Sequence, residues 1–182
     1  MGIMGVLFNP KGRIQANQFW QGVIVLVGLQ IVLYLGLAYV NLAFFLVYLL
    51  LLYPYACVYA KRLHDSGKTG WIFLAFLILT LIVYVITNLA LSGFSSVDED
   101  ALNEQLEILT QEEDLAGMLA LMKDALQAEA LLEFVKIALT NVIVGFFVAR
   151  MFSDPHTNQY GPPVGGEAQQ GQGSVSDDDI FS

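Results

Sequence analysis

Charged residues are scarce in this chain. They make up 14% of its 182 residues, whereas soluble domains average about 25%. Hydrophobic residues account for 56% and are gathered into long runs. So little charge excludes an ordinary water-soluble domain, because much of the chain must be hidden from water.

Basic residues are scarcer still. Eight Lys and Arg stand against seventeen Asp and Glu, for a net charge of -9. A protein this acidic binds the phosphate backbone of nucleic acids poorly, which excludes a nucleic-acid partner. The acidic residues lie mainly in 98–133 and in the stretch after residue 152.

Cysteine and histidine are nearly absent. The single cysteine, Cys57, excludes an internal disulfide framework and a cysteine-rich metal site. It lies in a hydrophobic run, where it is expected to behave as a small apolar residue. Only two histidines are present, and no serine or cysteine carries a nucleophile motif. We therefore predict no catalytic residue, no cofactor and no bound metal.

The chain does contain four long apolar runs. A run of about 18 apolar residues or more is typical of a membrane-spanning helix. The runs predict spans at about 19–39, 42–60, 71–91 and 131–152. Pro54 lies inside the second of these and lacks a backbone donor, so we expect a kink there. The fold class is predicted to be an all-α integral membrane protein with four transmembrane helices.

Four further segments flank or connect these runs. Residues 1–18 are predicted to lie at the membrane interface, and 61–70 to form a polar loop. Residues 92–130 form an acidic insert whose leucines and methionines recur at helical spacing, which predicts amphipathic helices with a break near Thr110 or Gly117. The insert could be a solvated cover, a cation-attracting lid or a docking face for a partner. Residues 153–182 are rich in Gly, Gln, Ser, Asp and Pro and are expected to be largely disordered.

The basic residues predict the orientation of the chain. Positive residues concentrate in short cytoplasmic segments of membrane proteins. With four spans, the bases before the first span, between the second and third, and at the end of the fourth fall on one side: Lys11, Arg13, Lys61, Arg62, Lys68 and Arg150. The other side has only Lys123 and Lys136. Both termini are therefore predicted to be cytoplasmic.

Within the predicted spans, Gln30 is the polar residue nearest to mid-membrane. It is expected to hydrogen-bond to a neighbouring helix. The central stretches of all four runs lack ionisable residues, which proton and ion carriers usually place there. This absence argues against a transport function.

Three short motifs flank the runs. The first is Phe8, Gly12-Arg13-Ile14 and Phe19-Trp20, and the second is Arg62-Leu63-His64-Asp65 followed by Gly67, Gly70 and Trp71. The third is Asn158-Gln159-Tyr160-Gly161-Pro162. Together they resemble the domain of unknown function 805 family of small bacterial inner-membrane proteins. The resemblance implies a multi-span fold in the bacterial cytoplasmic membrane and supplies no activity. The acidic insert is longer than the family pattern leads us to expect.

The predicted topology places all three motifs on the cytoplasmic face, where their polar side chains could converge. The candidate cluster comprises Arg13, Arg62, His64, Asp65, Gly70, Trp71, Asn158 and Tyr160. Arginine offers five fixed donors suited to phosphate or carboxylate, and Asp65 could set the tautomer of His64. Alternatively, the bases serve topology and lipid phosphates, and Asp65 caps the third helix.

These observations favour a non-enzymatic accessory or interaction protein of the inner membrane. One rival is a small oligomeric transporter or channel gated by His64 and Asp65, and another is an enzyme acting on lipid headgroups at the cytoplasmic surface. The expected partners are the lipid bilayer and a membrane or extracytoplasmic protein bound through the acidic insert. A second copy of the chain, forming a homo-oligomer, is a further alternative.

Overall fold

The computed structural model describes residues 2–164, and all its regular elements there are helices. Four helical segments are long and apolar enough to cross a membrane, with mean hydropathies from 1.6 to 2.6. We call them span 1 (Ala16–Val40), span 2 (Phe44–Asp65), span 3 (Gly70–Phe94) and span 4 (Ala130–Ala149). The prediction of an all-α chain with four transmembrane helices is confirmed.

The helices follow one another with short connections. In chain order they are α1 (Ile3–Phe8), α2 (Ala16–Leu35), α3 (Phe44–Leu50), α4 (Leu52–Asp65), α5 (Phe73–Leu91), α6 (Glu99–Gln111), α7 (Leu115–Ala128) and α8 (Ala130–Ala149). A π-helical turn, Gly36–Val40, extends α2, and short 3-10 turns at Gly70–Ile72 and Ser92–Phe94 flank α5.

Span 2 is interrupted at Leu51, three residues before Pro54. Proline has no N–H to give to the carbonyl four residues earlier, here that of Leu50, the last residue of α3. Helical bonding resumes when the Tyr55 N–H donates to the Leu51 carbonyl at 3.1 Å. The interruption lies where a proline-induced kink is expected.

Span 2 is longer than the hydrophobic run suggests. Residues 61–65, which we expected in a loop, continue α4 to Asp65. The reason is an ion pair of 2.5 Å between Arg62 and Asp65, which lie one helical turn apart. The helix ends where Gly67, at φ +69°, adopts a left-handed conformation. The Lys68 N–H then bonds the Leu63 carbonyl at 2.9 Å. Span 4, by contrast, stops at Ala149 instead of Phe152.

The main core lies where spans 1, 2 and 4 meet α1. Its buried residues are apolar and come from every one of these elements: Val6, Leu7, Ile14, Phe19, Val23, Leu26, Val58, Tyr59, Val144 and Val148. A Cβ atom on Gly145 would lie 3.0 Å from the Trp20 ring, so the glycine lets spans 1 and 4 approach closely.

Span 3 lies at the edge of the bundle. Only 11% of its most apolar 18-residue stretch is buried inside the protein, whereas the corresponding value for span 4 is 39%. Its side chains are nevertheless strongly apolar, with a mean hydropathy of 2.6. An apolar helix that the protein leaves uncovered suits a lipid environment.

The helices α6 and α7 form a hairpin at the end of the bundle opposite α1. The chain turns between them at residues 112–114, close to the predicted break at Thr110, whereas Gly117 lies inside α7. Side chains fix the hairpin to the bundle. The Tyr34 hydroxyl donates to the Leu126 carbonyl at 2.9 Å, and the Gln127 amide donates to the Ala38 carbonyl at 2.8 Å.

Glu129, between α7 and span 4, fixes the other side of the hairpin. Its carboxylate accepts hydrogen bonds from the Ser95 hydroxyl at 2.8 Å and the Ser96 N–H at 3.0 Å. It also lies 3.6 Å from the ammonium of Lys136. Burial acts to raise the pKa of Glu129, but the serine hydrogen bonds and Lys136 lower it below the usual value. The base of the hairpin therefore carries an ionised carboxylate.

The first part of the segment after span 4 is ordered, contrary to expectation. Residues 153–164, predicted to be disordered, pack against the end of span 2, where the Asp154 N–H donates to the Asp65 carbonyl at 2.7 Å. The remainder of the predicted disordered tail, residues 165–182, lies outside the described residues.

Candidate functional site

Asp65 occupies the centre of a buried polar network at the end of the bundle that bears most of the basic residues. Only 1% of this residue is exposed. One carboxylate oxygen accepts from Arg13 Nε at 3.1 Å, and the other accepts from Arg62 Nη1 at 2.5 Å and Ser153 Oγ at 2.6 Å. A carboxylate removed from water needs this number of partners to be stable. We call Arg13, Arg62, Asp65 and Ser153 the Asp65 network.

Arg13 joins the N-terminal segment to the C-terminal one. It is 6% exposed, and its guanidinium also donates to three backbone carbonyls of the last described segment. These are His156 at 2.9 Å, Gly161 at 3.3 Å and Asp154. A planar guanidinium has five donors in fixed directions, which lets one side chain hold several acceptors. Arg13 thus fixes residues 154–161 against Asp65.

Arg62 closes the end of span 4. Its Nη2 donates to the carbonyls of Ala149 at 2.9 Å and Met151 at 2.5 Å. The last carbonyls of a helix have no partner within the helix and carry partial negative charge. Arg62 supplies a donor and positive charge to the last of them, that of Ala149, and also binds Met151 just beyond the helix. Its Nε is buried and finds no acceptor among residues 2–164.

His64 and Tyr160 stack face to face beside this network. Their ring centroids are 3.7 Å apart and the planes differ by 8°. His64 Nδ1 lies 3.2 Å from the Gly12 carbonyl, and Asn158 Nδ2 donates to the His64 carbonyl at 3.2 Å. The carboxylate of Asp65 is directed to the arginines and not to His64, whose tautomer it could have set. The ring instead takes its position from Gly12 and Tyr160.

Gly70 and Trp71 differ from the other motif residues. A Cβ atom on Gly70 would lie 3.0 Å from the Ala60 Cβ and 3.1 Å from His64 Nε2, so this glycine makes room for the histidine. Trp71 is 79% exposed and takes no part in the network, which suits an interfacial aromatic residue. Asp65 does not cap span 3. The Thr69 hydroxyl does so by accepting from the Trp71 N–H at 3.4 Å.

Sequence reasoning missed two members of this region. Lys61 is fully buried, and its ammonium donates to the carbonyls of Gly5 at 2.5 Å and Val6 at 2.6 Å. It thereby holds α1 against span 2. Ser153 was also missed. The positive-inside rule already accounts for a lysine at the end of a span, and a single serine in a polar tail has no distinguishing pattern, so neither residue could be selected from the sequence.

Asp154 adds an acidic group at the edge of the network. Hydrogen bonds from the His156 backbone N–H and the Asn158 amide lower the pKa of its carboxyl. A cleft of about 400 Å³ lies between this carboxylate, Arg13, Ser153 and Gln15. Residues 2–164 contain no group of three His, Cys, Asp or Glu side chains placed to hold a metal ion. The donors of the two arginines are mostly engaged inside the chain, which is the chemistry of a structural anchor.

A second polar group lies inside the bundle. Gln30 Nε2 donates to the Tyr48 hydroxyl at 2.5 Å, and the Tyr55 hydroxyl lies 2.9 Å from Gln30 Oε1 and 3.0 Å from Asn141 Oδ1. These side chains connect spans 1, 2 and 4. Gln30 was expected to bond a neighbouring helix. Asn141 lies near the middle of span 4 but was overlooked, because a single amide barely changes the hydropathy of a long apolar run.

Comparison with known proteins supports the family resemblance that the three motifs indicated. The family model described as "Protein of unknown function (DUF805)" matches residues 7–162, a range that contains every member of the Asp65 network and the His64–Tyr160 stack. No curated protein and no solved structure matches the chain. With most of its length matched, this multi-pass membrane protein belongs to the DUF805 family, whose function is unknown.

Proposed function

We propose that the chain is a non-enzymatic accessory protein of the bacterial inner membrane that binds a partner protein through the α6–α7 hairpin. In this proposal both termini are cytoplasmic and the hairpin is extracytoplasmic. The distribution of basic residues supports that orientation. The resemblance to small bacterial inner-membrane proteins supports the location.

The observation that carries the proposal is an exposed apolar stripe on α7. Leu115, Leu119 and Met122 are 66%, 42% and 45% exposed. Their spacing of four and three residues places them on one face of the helix. On a segment outside the membrane, a contiguous apolar surface of this kind is typical of an interaction site. Ile108 of α6 is a further exposed apolar side chain of the hairpin, at 48%.

Charge indicates what kind of partner would fit. Residues 92–130 contain ten acidic residues and a single base, Lys123. Three of the acids, Glu112, Glu113 and Asp114, lie at the turn of the hairpin beside Leu115. A partner with an apolar strip bordered by Lys or Arg would complement this surface. The anchoring bonds of Tyr34 and Gln127 hold the hairpin in place, so binding needs little ordering.

The contacts at the opposite end favour this proposal over an enzyme. Asp65 is surrounded by donors, and His64 is stacked on Tyr160 and held at Gly12. Groups held in this way suit the assembly of the chain better than proton transfer to a substrate. We therefore assign the family motifs a structural role and seek the function elsewhere.

Crosslinking followed by mass spectrometry, performed on native membranes with the full chain, tests the proposal. The informative variant is Leu115→Ser with Leu119→Ser, because both side chains are exposed and their loss should leave the fold intact. Phe152→Ser, which removes a 95% exposed side chain beyond the end of span 4, is the matched control. We expect one crosslinked protein with a basic extracytoplasmic surface, lost in the double variant and retained in the control. Crosslinks unchanged by the double variant would refute the hairpin as a docking site.

Transport is a second candidate, supported by the polar group around Gln30 inside the bundle. A flux assay in vesicles addresses it directly. Passage of a specific solute, abolished by Gln30→Leu, would favour a transporter over the accessory protein.

A further inference from the structure

A cavity with two lobes lies within the membrane-spanning bundle. The lobes have volumes of about 230 Å³ and 490 Å³. Both are lined by the same central residues, Gln30, Tyr48, Leu77, Thr80 and Asn141, so the two lobes are adjacent. The larger lobe alone is in the range of small-molecule sites, about 300–1,000 Å³.

The cavity contains hydrogen-bonding capacity that the chain leaves unused. Thr140 is 2% exposed and lines the larger lobe, yet its hydroxyl has no partner within residues 2–164. The Tyr48 hydroxyl accepts from Gln30, and none of the described residues accepts its proton. A buried hydroxyl without any partner, as at Thr140, is unfavourable, and the half-buried Tyr48 hydroxyl still has its proton to donate. These two donors therefore favour a bound molecule that brings acceptors.

The walls and the rim of the cavity are apolar. The smaller lobe is bordered by the aromatic rings of Tyr59, Phe73 and Phe76. Three leucines that line the cavity, Leu49, Leu77 and Leu81, are 45%, 39% and 64% exposed. In a bilayer these side chains face lipid, so the cavity opens sideways into the hydrocarbon region.

Charge is confined to one edge of the cavity. Glu133 lies at the outer end of the larger lobe, where it accepts from the Tyr84 hydroxyl at 2.8 Å and pairs with Lys136 at 3.6 Å. The remaining polar lining is made of neutral amides and hydroxyls. A charged head would therefore enter a hydrophobic region without a counter-charge, at a high desolvation cost.

We propose that this cavity binds a neutral lipid whose head carries carbonyl oxygens. The head enters sideways from the bilayer, its carbonyl groups accept from the Thr140 and Tyr48 hydroxyls, and its chain lies along the exposed leucines. Quinones and diacylglycerols share this chemistry. The inference is independent of docking at the hairpin, because none of the groups involved lies on α6 or α7.

Native mass spectrometry of the full chain in detergent, titrated with decylubiquinone and separately with dioctanoylglycerol, tests the inference. We expect a saturable one-to-one complex with at least one probe, and the probe that binds identifies the class. Anionic myristate should bind far more weakly than that probe. Thr140→Val should weaken binding about tenfold, the usual effect of one lost hydrogen bond to a neutral group, and Tyr48→Phe should act similarly.

The Thr140→Val variant separates a ligand role from a structural one. Its hydroxyl has no partner in the chain, so the substitution should leave the melting temperature unchanged or raise it. Thr87→Val is the matched control, since Thr87 is buried in span 3 and does not line this cavity. The inference fails if neither probe saturates, if myristate binds as tightly, or if Thr140→Val binds like the unaltered chain.

Discussion

The guanidinium of Arg13 lies 3.1 Å from the carboxylate of Asp65, although 52 residues separate them along the chain. Each side chain is 1% exposed. The same carboxylate holds Arg62, and Arg13 also binds carbonyls of the segment after span 4. One buried acid therefore joins three distant parts of the chain, and these are the parts that carry the family motifs.

Replacing Asp65 by alanine should be strongly destabilising. It leaves Arg13 and Arg62 buried without their counter-charge, a change that typically costs about 3–5 kcal/mol. Thermal unfolding of the purified chain in detergent measures the loss. Glu104→Ala, which removes an exposed acid from α6, is the control and should have little effect. Equal stability of the two variants would contradict the role given to the Asp65 network.

The Arg13→Lys variant tests whether the fixed directions of the guanidinium donors are needed to hold the segment after span 4. Lysine keeps the charge but cannot reach several carbonyls in fixed directions, so residues 153–162 should loosen. Hydrogen exchange of that segment should accelerate about tenfold or more, since hydrogen bonds to charged groups contribute about 1.5–3 kcal/mol. Lys11→Ala alters an exposed neighbouring base and should leave exchange unchanged. Protection that survives Arg13→Lys would show that charge alone suffices.

The stack of Tyr160 on His64 predicts a difference between two substitutions. Tyr160→Ala removes the ring and should lower stability by at least about 1 kcal/mol, because the stacking contribution of an aromatic pair is lost in addition to the ring's buried area. Tyr160→Phe keeps the ring and should retain most of that stability. Denaturant unfolding of both variants provides the comparison. If both variants lose the same stability, the hydroxyl of Tyr160 and not its stacking on His64 is what stabilises the chain.

Lys61 predicts a local effect at the N-terminus. Lys61→Met keeps an apolar stem but leaves the Gly5 and Val6 carbonyls without their donor, so α1 should detach from span 2. Faster hydrogen exchange in residues 3–8, with a stability loss of about 1–3 kcal/mol, is the expected result. Lys68→Met, at an exposed position, serves as the comparison. Unaltered exchange in α1 would mean that its apolar packing is sufficient.

The spans were predictable because lipid requires long apolar helices, and such runs are visible in any sequence. The ends of the spans were less predictable. Hydropathy stops at Ala60, whereas the helix continues to Asp65 because Arg62 and Asp65 neutralise each other. That pairing is a property of the folded chain. A sequence pattern cannot distinguish it from two solvated charges.

The grouping of the candidate site followed from topology, which places three motifs at one end of the bundle. The pairing within the group did not. The sequence left two roles open for Asp65, acting on its neighbour His64 or capping the third helix, but the distant Arg13 competes better for a buried carboxylate because it brings a compensating charge. The order of residues 153–164 was missed for a related reason. Their composition is that of a disordered tail, and their stability comes from acceptors supplied to Arg13.

The orientation of the chain is the claim on which the proposed function depends most. Labelling with a membrane-impermeant maleimide tests it in bacterial cells that produce the full chain with Cys57 replaced by alanine. Lys68→Cys and Glu104→Cys place a thiol at exposed positions at opposite ends of the bundle. We predict that Glu104→Cys is labelled in intact cells and Lys68→Cys only after permeabilisation. Labelling of both from the same side, or in the reverse order, would contradict the account.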